Sequence, residues 1–321
     1  MPAFRILPPL VLAVLLRAVV LAQGTPGKGR ELYVAASGKD TNPGTSQAPF
    51  ASLERARDEV RKLKATGLPP GGVTVWIAPG LYARAHTFTL EAQDSGTAAA
   101  PIRYRGMKRG AVRLLGGVRL PAADFRPVTD PAFLERLDPA ARGAVRQIRL
   151  QDCGVPEPGP EWFTRFAGAP TSSELFFDHQ RMPLARWPND GGWARIADVT
   201  GGAPHKIHGI PGDKIGRFTY DGDRPSRWVK EPELWLHGFW FWDWADQRQR
   251  VESLDPATKT ITLAPPYHGY GYRKHARYYA LNALAELDRP GEWYVDRASW
   301  TLFIWPPAAL TDREVSFSIL S

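Results

Sequence analysis

Short apolar segments separated by glycine- and proline-rich turns constrain this chain most. Four such segments occupy residues 73–77, 87–90, 102–104 and 112–115, and they recur about every 10 to 14 residues. Runs this short form strands rather than helices, because a helix needs a longer periodic pattern to bury one face. The spacing is typical of either a β-sandwich or the rungs of a β-helix. A mainly β protein is therefore predicted.

Residues 52–67 carry the pattern of one amphipathic helix. Ser52 is expected to cap its N-terminus, and Gly67 is expected to end it. The apolar stripe at helical spacing consists of Leu53, Ala56, Val60 and Leu63. Because charged residues occupy most of the other positions, the stripe must pack against another element. A helix of this kind is one way to close the open end of a solenoid.

Length and composition predict a globular protein of about two domains. The chain has 321 residues, of which 43% are hydrophobic and 23% are charged, and this length exceeds the usual size of one domain. Cys153 is the only cysteine, so no internal disulfide can form and the cores depend on burial. No metal or other cofactor is expected, because His205 and His208 lack a third metal ligand nearby in the sequence.

Residues 1–22 are predicted to be a cleaved secretory signal peptide. Arg5 precedes an apolar run over residues 6–22, and small residues precede a cleavage point before Gln23. Two prolines and Arg17 interrupt the run, which is too short for a membrane span of about 20 apolar residues. A retained membrane anchor is the alternative. The protein is expected to be secreted or periplasmic, with no stable membrane span after cleavage.

The charge balance has two interpretations. The formal net charge of +8 at pH 7 becomes +6 when Arg5 and Arg17 are removed with the signal peptide. A positive balance can steer an acidic polysaccharide toward the protein, or it can simply reflect an arginine-rich composition. Nucleic acid is not an expected partner, since export is expected and no RNA- or DNA-binding motif occurs. The sequence gives no indication of the oligomeric state.

Tryptophan is concentrated in the second part of the chain, where eleven of the twelve lie beyond residue 160. Over residues 237–246, strand alternation would place Trp240, Trp242 and Trp244 on one face. Flat indole faces match the C–H face of a pyranose, and a nearby carboxylate can take its hydroxyls. The predicted substrate-binding residues are Trp240, Trp242, Asp243 and Trp244. The alternative is a core strand, because large aromatic side chains usually fill cores.

No pair of catalytic carboxylates stands out. Glycoside hydrolysis usually uses two carboxylates about 5 to 9 Å apart. Asp243 and Asp246 lie three residues apart, so a strand would place them on opposite faces unless a turn or bulge separates them. Structural roles near turns are favoured for a second group of acids. This group consists of Glu286, Asp288, Glu292 and Asp296.

Six stretches together resemble a known family. Three come from the N-terminal part, and they are YVAASGKDTNPGT, PFASLERARDEVR and VWIAPGLYARAHTFTL. These resemble the cap and first rungs of right-handed parallel β-helix proteins of the pectin-lyase-like superfamily. Three more are LFFDHQRMPLARWPN, HGFWFWDWADQRQRV and PGEWYVDR. These are similar to large β-helix glycosidases of the glycoside hydrolase family 141 type, in which an inserted β domain interrupts the helix early.

The resemblance implies a domain plan. Residues 31–120 would form the β-helix cap and first rungs, 121–312 the inserted antiparallel β domain, and 313–321 the start of a further rung. In that family the catalytic acids come from rungs that follow the insertion. Those rungs are expected to be missing here, which would leave the last strand uncovered unless it pairs back onto the first rungs.

Two turns depart from the family pattern. Asp178 and His179 stand where relatives have an Asn-Gly type turn, and Trp300 stands where a hairpin would favour glycine. These residues would therefore carry positive φ angles and some strain.

Three functions follow as hypotheses. The first is the N-terminal fragment of an exported glycoside hydrolase that acts on complex polysaccharide and is inactive alone. The second is a polysaccharide lyase on the same scaffold, and the third is a non-catalytic carbohydrate-binding or envelope module. Whether the chain is itself an enzyme is left open, and its catalytic residues are not assigned. A Ser-His-Asp hydrolase is not supported, because no Gly-x-Ser-x-Gly motif occurs.

Overall fold

The structure is a computed structural model that describes residues 29–157, 173–189, 191–202 and 204–320. The predicted signal peptide at residues 1–22 lies outside the described residues. The chain divides into two compact units, the first comprising the described residues up to 81 together with 88–113, and the second comprising 82–87 and 114–320. The domain boundaries expected at residues 120 and 312 stay predictions.

The first unit contains a parallel sheet and the predicted helix. Strands β1 (Arg30–Val34), β2 (Val73–Ile77) and β4 (Ile102–Gly106) form a three-stranded sheet in the order β1-β2-β4. Both pairings are parallel, with Val34 opposite Ile77 and Ile77 opposite Gly106. Two further strands, β3 (Gly80–Ala83) and β5 (Val112–Leu115), pair with each other, and the residues of each are divided between the first and the second unit.

The predicted helix is confirmed as α1 (Leu53–Ala65). The side chain of Ser52 accepts a hydrogen bond from the backbone N–H of Arg55 at 3.1 Å, which satisfies one of the free donors at the helix start. Leu53, Ala56 and Val60 are buried. The amphipathic stripe therefore packs inward, as its spacing predicts.

One predicted strand is wrong. Residues 87–90 form no strand, because the carbonyl of Thr89 accepts a hydrogen bond from Arg57 of the helix at 3.0 Å instead of joining a sheet. Leu90 is 50% exposed, so the segment has no second layer to cover it. The apolar residues of this segment therefore form no strand, although their pattern predicts one.

The second unit is built mainly from antiparallel strands. Its first elements along the chain are β6 (Gly117–Leu120), β7 (Arg126–Pro127), α2 (Pro131–Arg136), β8 (Arg146–Arg149), β9 (Leu175–Phe177) and β10 (Gln180–Arg181). The middle strands are β11 (Arg186–Trp187), β12 (Ala194–Val199), β13 (Pro204–Ile207), β14 (Ile210–Asp213), β15 (Arg217–Tyr220) and β16 (Trp235–Phe239). The remaining strands are β17 (Gln247–Asp255), β18 (Thr260–Leu263), β19 (Arg277–Leu281), β20 (Trp293–Asp296), β21 (Thr301–Ile304) and β22 (Val315–Ser318).

Short 3-10 helices complete the described elements. They span Ala92–Asp94, Ala122–Asp124, Gln151–Cys153, Arg224–Lys230 and Leu284–Glu286. The fold is thus mainly β, as predicted. Strands β1, β2 and β4 are parallel, whereas the sheets of the second unit are antiparallel. The more specific prediction of a right-handed parallel β-helix stays a prediction.

Six strands of the second unit close into a barrel. Their order is β12-β15-β18-β17-β16-β19, and β19 pairs again with β12. Closure removes the free sheet edges that would otherwise expose unpaired backbone groups. The interior is filled by buried aromatic and aliphatic side chains, among them Phe218, Leu236, Trp240 and Tyr278.

The last strand is covered, in line with the alternative that it pairs back onto the residues expected to form the first rungs, since these include β6. β22 lies between β6 and β9 and pairs antiparallel with both. Val315 and Phe317 are fully buried in the core of that sheet. The expected further rung would need parallel pairing, and the apolar alternation of residues 315–319 is instead used to fill an antiparallel core.

The two unusual turns adopt the predicted backbone. Asp178 and His179 have φ angles of 46° and 67°, and Trp300 has a φ of 49°. Asp178 stabilises its turn by accepting hydrogen bonds from the backbone of Glu314 at 3.1 Å and the side chain of Arg313 at 2.8 Å. The indole of Trp300 is buried and donates to the carbonyl of Val155 at 3.0 Å. Side-chain contacts therefore offset the backbone cost at both turns.

Replacing His179 by glycine is expected to raise the free energy of unfolding by about 1 kcal/mol, because glycine adopts positive φ without a Cβ clash. His179 has a side chain that is 59% exposed and lies 3.6 Å from Glu314, so little packing is lost. Urea unfolding checks this. Gln180→Gly, in the adjoining strand, is the matched control and should lower stability. A less stable His179→Gly protein would mean that the contact with Glu314 outweighs the backbone strain.

Candidate functional site

The strand predicted for residues 237–246 ends early. β16 stops at Phe239, and residues 240–246 form bends and a turn before β17 begins. The turn follows from Trp240, whose indole N–H donates to the carbonyl of Gln247 at 2.8 Å. Gly238 leaves room for this ring, since a Cβ there would come within 2.8 Å of it. The predicted common face of Trp240, Trp242 and Trp244 is therefore wrong.

Trp240 belongs to the barrel core. Its exposed fraction is 0%, and its ring stacks on Tyr278 with the centroids 6.1 Å apart. A ligand in solution has no access to it. The prediction that Trp240 binds substrate is corrected for this reason.

The other three predicted residues remain accessible. Trp242 is half-buried with its ring edge on Phe241, whereas Asp243 is exposed. Trp244 is 67% exposed and contacts Tyr270 at a centroid distance of 5.3 Å. These residues, Trp242 to Trp244, are called the tryptophan turn below. Of the three predicted tryptophans, Trp242 and Trp244 thus remain accessible to a ligand.

The outer surface of the barrel carries a second set of aromatic residues. In antiparallel pairs, residues directly opposite each other share a face. His237 on β16 lies opposite Arg248 on β17 and opposite Tyr279 on β19. The same outer face continues along these three strands, and we call it the aromatic–arginine face. Its residues are Trp235, His237, Phe239, Arg248, Arg250, Arg277 and Tyr279.

Guanidinium groups stack on the rings of this face. The Arg277 Cζ atom lies 4.3 Å from the centroid of the Phe239 ring and 4.8 Å from that of Trp193. On the other side, the Arg186 Cζ atom lies 3.6 Å above the ring of Tyr279. Each such contact contributes about 0.5 to 2 kcal/mol. The stacks hold both rings and cations in fixed orientations.

Two acids of the turn region tie it to this face. Asp243 forms an ion pair with Arg277 at 3.3 Å, and Asp246 lies 3.4 Å from the Nε2 atom of His237. On a regular strand, Asp243 and Asp246 would lie on opposite faces. The turn at residues 243–244 removes that constraint. An ion pair therefore links the tryptophan turn to the aromatic–arginine face.

His237 lies at the centre of the aromatic–arginine face. Its ring stacks on Tyr279 with centroids 4.9 Å apart. Burial lowers the pKa of His237 to about 4, although Asp246 opposes that shift. Its Nδ1 atom is buried without a hydrogen-bond partner among the residues that the structure describes. At neutral pH the imidazole is therefore uncharged and acts as a flat, partly polar surface.

Two cavities open along the aromatic–arginine face. The larger has a volume of about 530 Å³, and the smaller has a volume of about 230 Å³. Arg248 lines both of them. Trp235 and Arg250 line the larger cavity, while Arg186 and Tyr279 line the smaller one. Concave sites with aromatic walls and a few polar groups are typical of small-molecule and sugar binding.

The carboxylates of the larger cavity already have partners. Glu233 accepts hydrogen bonds from Arg297 at 2.5 Å and from the indole of Trp235 at 3.3 Å. Asp296 accepts from the backbone N–H and the hydroxyl of Ser299 at 2.9 and 2.7 Å. Both side chains shape the wall and a turn rather than facing a reacting group.

Two carboxylates with raised pKa values lie in the core instead. Burial raises the pKa of Glu286, which accepts hydrogen bonds from Arg224 and Trp228 at 2.5 Å. Burial raises the pKa of Glu292 to about 7, and its main partner is the backbone N–H of Asp288 at 3.0 Å. Both side chains are 0% exposed, so solvent does not reach either carboxylate, and the structural roles expected for them stay a prediction.

Within residues 29–157, 173–189, 191–202 and 204–320, no group of three or more His, Cys, Asp or Glu side chains is arranged to hold a metal ion. In the same ranges, no helix has the length and apolarity needed to cross a bilayer.

Sequence reasoning missed most of the aromatic–arginine face. The signal was present in the alternate positions 235, 237 and 239 of the aromatic segment, which precede the tryptophans that drew attention. The arginines at 248 and 250 have the same alternation on the next strand. Their shared face depends on the register between the strands, and the sequence does not give that register.

Comparison with known proteins shows a fold that this chain shares, but it does not show an activity. No family model matches the chain. A 114-residue segment is 32% identical to the uncharacterized protein YwoF of Bacillus subtilis strain 168, covering 33% of this chain and 22% of that protein. A solved structure titled "Glycoside hydrolase" superposes with a TM-score of 0.63 at 20% identity, over 89% of this chain and 45% of that chain. This chain therefore shares its fold with that structure and spans less than half of its length.

A second solved structure is much less similar. It is titled "Rhamnogalacturonan lyase" and superposes with a TM-score of 0.20 at 27% identity, over 27% of this chain and 21% of that chain. At that score nothing about this chain follows from it.

The buried Glu292 predicts a pH dependence of stability. Its pKa of about 7 in the folded protein exceeds the ordinary value of 4.5, so the folded state binds the proton more tightly than the unfolded state. This contribution is complete below pH 4.5 and is lost as the pH rises through 7. Glu292→Gln should remove a decline of roughly 2 to 3 kcal/mol over that interval.

Urea unfolding at pH 4.5, 6 and 8 measures this decline. Glu252→Gln, which removes an exposed carboxylate from β17, is the matched control and should keep the slope of the unchanged protein. An equal slope in the Glu292→Gln protein would contradict the assignment.

Proposed function

We propose that this chain is the glycan-binding part of a carbohydrate-active protein of the glycoside hydrolase kind. The observation that carries the proposal is the aromatic–arginine face, which adjoins two cavities and is linked by an ion pair to the tryptophan turn. Polysaccharide or oligosaccharide is the proposed ligand.

The chemistry of the site supports this ligand class. A pyranose has an apolar C–H face that packs on flat rings, and hydroxyls that need donors and acceptors. Trp244 offers a ring that is 67% exposed, and Asp243 beside it offers an exposed carboxylate. Arg250 supplies donors in the larger cavity. Rings, acceptors and donors thus occur together along one surface.

The shared fold supports the wider assignment. The structure titled "Glycoside hydrolase" overlaps 89% of this chain, and the parallel strands β1, β2 and β4 are those expected of the first rungs of a β-helix. We therefore propose a right-handed parallel β-helix protein with an inserted β barrel, of the family 141 type. The activity of a whole protein of that kind is a proposal, because this chain corresponds to 45% of that structure.

We propose that the described residues bind a glycan and do not cleave it. A glycosidase needs one carboxyl group of raised pKa and a second carboxylate facing the same bond. In the described part of the chain, Glu286 and Glu292 have raised pKa values but no exposed surface. Glu233 in the larger cavity is occupied by Arg297. We propose export as well, on the basis of the pattern in residues 1–22.

Trp244→Ala is expected to weaken glycan binding about tenfold, because one stacked ring contributes on the order of 1 kcal/mol. Trp244→Phe should retain most of the affinity. Affinity electrophoresis of the full chain through gels that contain xylan, galactan or polygalacturonate measures the change.

Val229→Ala is the matched control, since Val229 is an apolar side chain that is 55% exposed outside the site. It should bind as the unchanged chain does. Retardation in none of the gels, or equal retardation of the Trp244→Ala protein, would contradict the proposal. Release of reducing ends by the chain alone would overturn the binding-only role. A product with the ultraviolet absorbance of an unsaturated uronate would favour a lyase.

A further inference from the structure

One edge of the parallel sheet in the first unit is closed by the chain itself. The backbone N–H of Tyr33 in β1 donates to the carbonyl of Gly44 at 2.9 Å, and its carbonyl accepts from the N–H of Phe50 at 2.9 Å. The N–H of Ala35 donates to the carbonyl of Phe50 at 2.9 Å. The segment from Gly44 to Phe50 therefore satisfies the outer backbone groups of β1, as a neighbouring strand would.

The opposite edge of the sheet is β4, and its hydrogen bonds to β2 fix which backbone groups point outward. The N–H of Val73 donates to the carbonyl of Pro101, and the N–H of Met107 donates to the carbonyl of Ile77, both at 2.9 Å. In a parallel pair, alternate residues bond to the same neighbour. The odd-numbered residues between 101 and 107 therefore bond to β2, and the even-numbered ones direct their N–H and C=O groups away from it.

Ile102, Tyr104 and Gly106 thus present a row of outward backbone groups. Among the strands that the structure describes, β4 pairs with β2 alone. The pairing runs in unbroken register over all five residues of β4, so no bulge turns the edge away. Gly106 is exposed. An edge of this kind accepts a further strand through main-chain hydrogen bonds.

The side chains along this edge are cationic. Arg103 and Arg105 of β4 are exposed, and Lys108 and Arg109 follow in an exposed turn. In the described ranges none of these four side chains forms an ion pair. The sequence has no acidic residue at positions 95–123. The positive charge of the β4 edge is therefore not balanced within its own segment.

Apolar and cationic side chains lie on different faces of β4. Tyr104 is opposite Val75, which is 0% exposed, so Tyr104 belongs to the interior face of the sheet. Arg105 is opposite Trp76 on the outer face, and its Cζ atom lies 5.3 Å from the centroid of the Trp76 ring. Arg103 shares that outer face. An added strand would therefore meet apolar groups on one face and guanidinium groups on the other.

One acid lies on the same outer face, but it already has partners. Glu31 is in register with Arg103 two strands away, which is roughly 10 Å. Its carboxylate accepts hydrogen bonds from the hydroxyl of Tyr33 and the indole of Trp76, both at 3.1 Å. Glu31 therefore leaves the charge of Arg103 uncompensated.

We propose that the β4 edge binds, as an added strand, an extended segment of another polypeptide in which acidic residues alternate with apolar ones. Its acids lie beside Arg103 and Arg105, because opposite charges on neighbouring strands stabilise a sheet. A second copy of β4 would place arginine beside arginine, which is destabilising. Outside the described ranges this chain contains only two acids, Glu161 and Asp190, so an alternating acidic strand comes from another protein. This inference is independent of the proposed function.

The probe is a peptide of about nine residues that alternates glutamate and valine and is blocked at both ends. One control peptide has glutamine in place of glutamate. A second keeps the acidic sequence but has methylated nitrogens in its central residues, which removes main-chain donors without changing the charge. Fluorescence anisotropy of the labelled peptides with the full chain, at about 0.1 M salt, measures affinity. The acidic peptide should bind at least tenfold more tightly than either control.

Amide hydrogen exchange locates the bound strand. The outward N–H groups of Tyr104 and Gly106 should exchange at least tenfold more slowly once the acidic peptide is bound. The N–H groups of Arg103 and Arg105, which bond to β2, should change less. Residue-resolved NMR measures this alternation.

Two matched pairs of variants separate charge from strand addition. Arg103→Gln combined with Arg105→Gln should weaken binding of the acidic peptide about tenfold, whereas Lys39→Gln, beside the closed edge, should not. Gly106→Pro removes an outward N–H and should abolish binding, whereas Gly106→Ala should retain it. Both Gly106 variants add a Cβ atom at 3.2 Å from Val112, so they share that contact. Circular dichroism checks that each variant folds.

The outcomes discriminate between explanations. Equal binding of the methylated peptide, or equal binding by the Gly106→Pro and Gly106→Ala proteins, overturns the added strand, because charge alone then accounts for the affinity. Binding without alternating protection at Tyr104 and Gly106 also overturns it. Self-association of the chain that Gly106→Pro abolishes would make a second copy the occupant and overturn the acidic partner. Binding of none of the peptides overturns this inference and leaves glycan binding untouched.

Discussion

The pairing of β16 with β19 is the constraint on which the second unit depends. It brings Trp235 opposite Leu281 and Phe239 opposite Arg277, and it closes the six-stranded barrel. Because side chains alternate along a strand, the register of this pair determines which side chains face the barrel interior and which face outward. Leu236 points into the fully buried interior, while His237 lies on the outer face with Tyr279. A shift of one residue would exchange the core with the site.

The same closure explains how a strand can be aromatic on both sides. Inside the barrel, the buried Tyr278 packs against Phe218 with centroids 5.3 Å apart. Outside, Trp235 is buried in a cluster with Trp293 and Val295 of β20, whereas arginine side chains stack on other rings, as Arg186 does on Tyr279 at 3.6 Å. A guanidinium covers apolar surface and still offers hydrogen-bond donors at its edge.

Local patterns in the sequence predicted several local features correctly, although not the conformation of residues 87–90. The α1 helix, its Ser52 cap and the positive φ angles of His179 and Trp300 follow from residues within a few positions of each other. The barrel surface does not, because β16 and β19 are about forty residues apart in the sequence and their register is set by long-range packing. Trp240 shows the difference: alternation suggested a ligand-binding ring, but a bend to the carbonyl of Gln247 takes that ring into the core.

Charge and shape at this surface support one another. The aromatic side chains require cover, and arginine provides it at the cost of concentrating positive charge on a partly desolvated surface. Asp243 relieves part of that cost at Arg277, and Asp246 lies beside His237. At Arg248, between the cavities, burial still depresses the pKa of the guanidinium. The stacking that covers the rings therefore also fixes where the positive charge of this face lies.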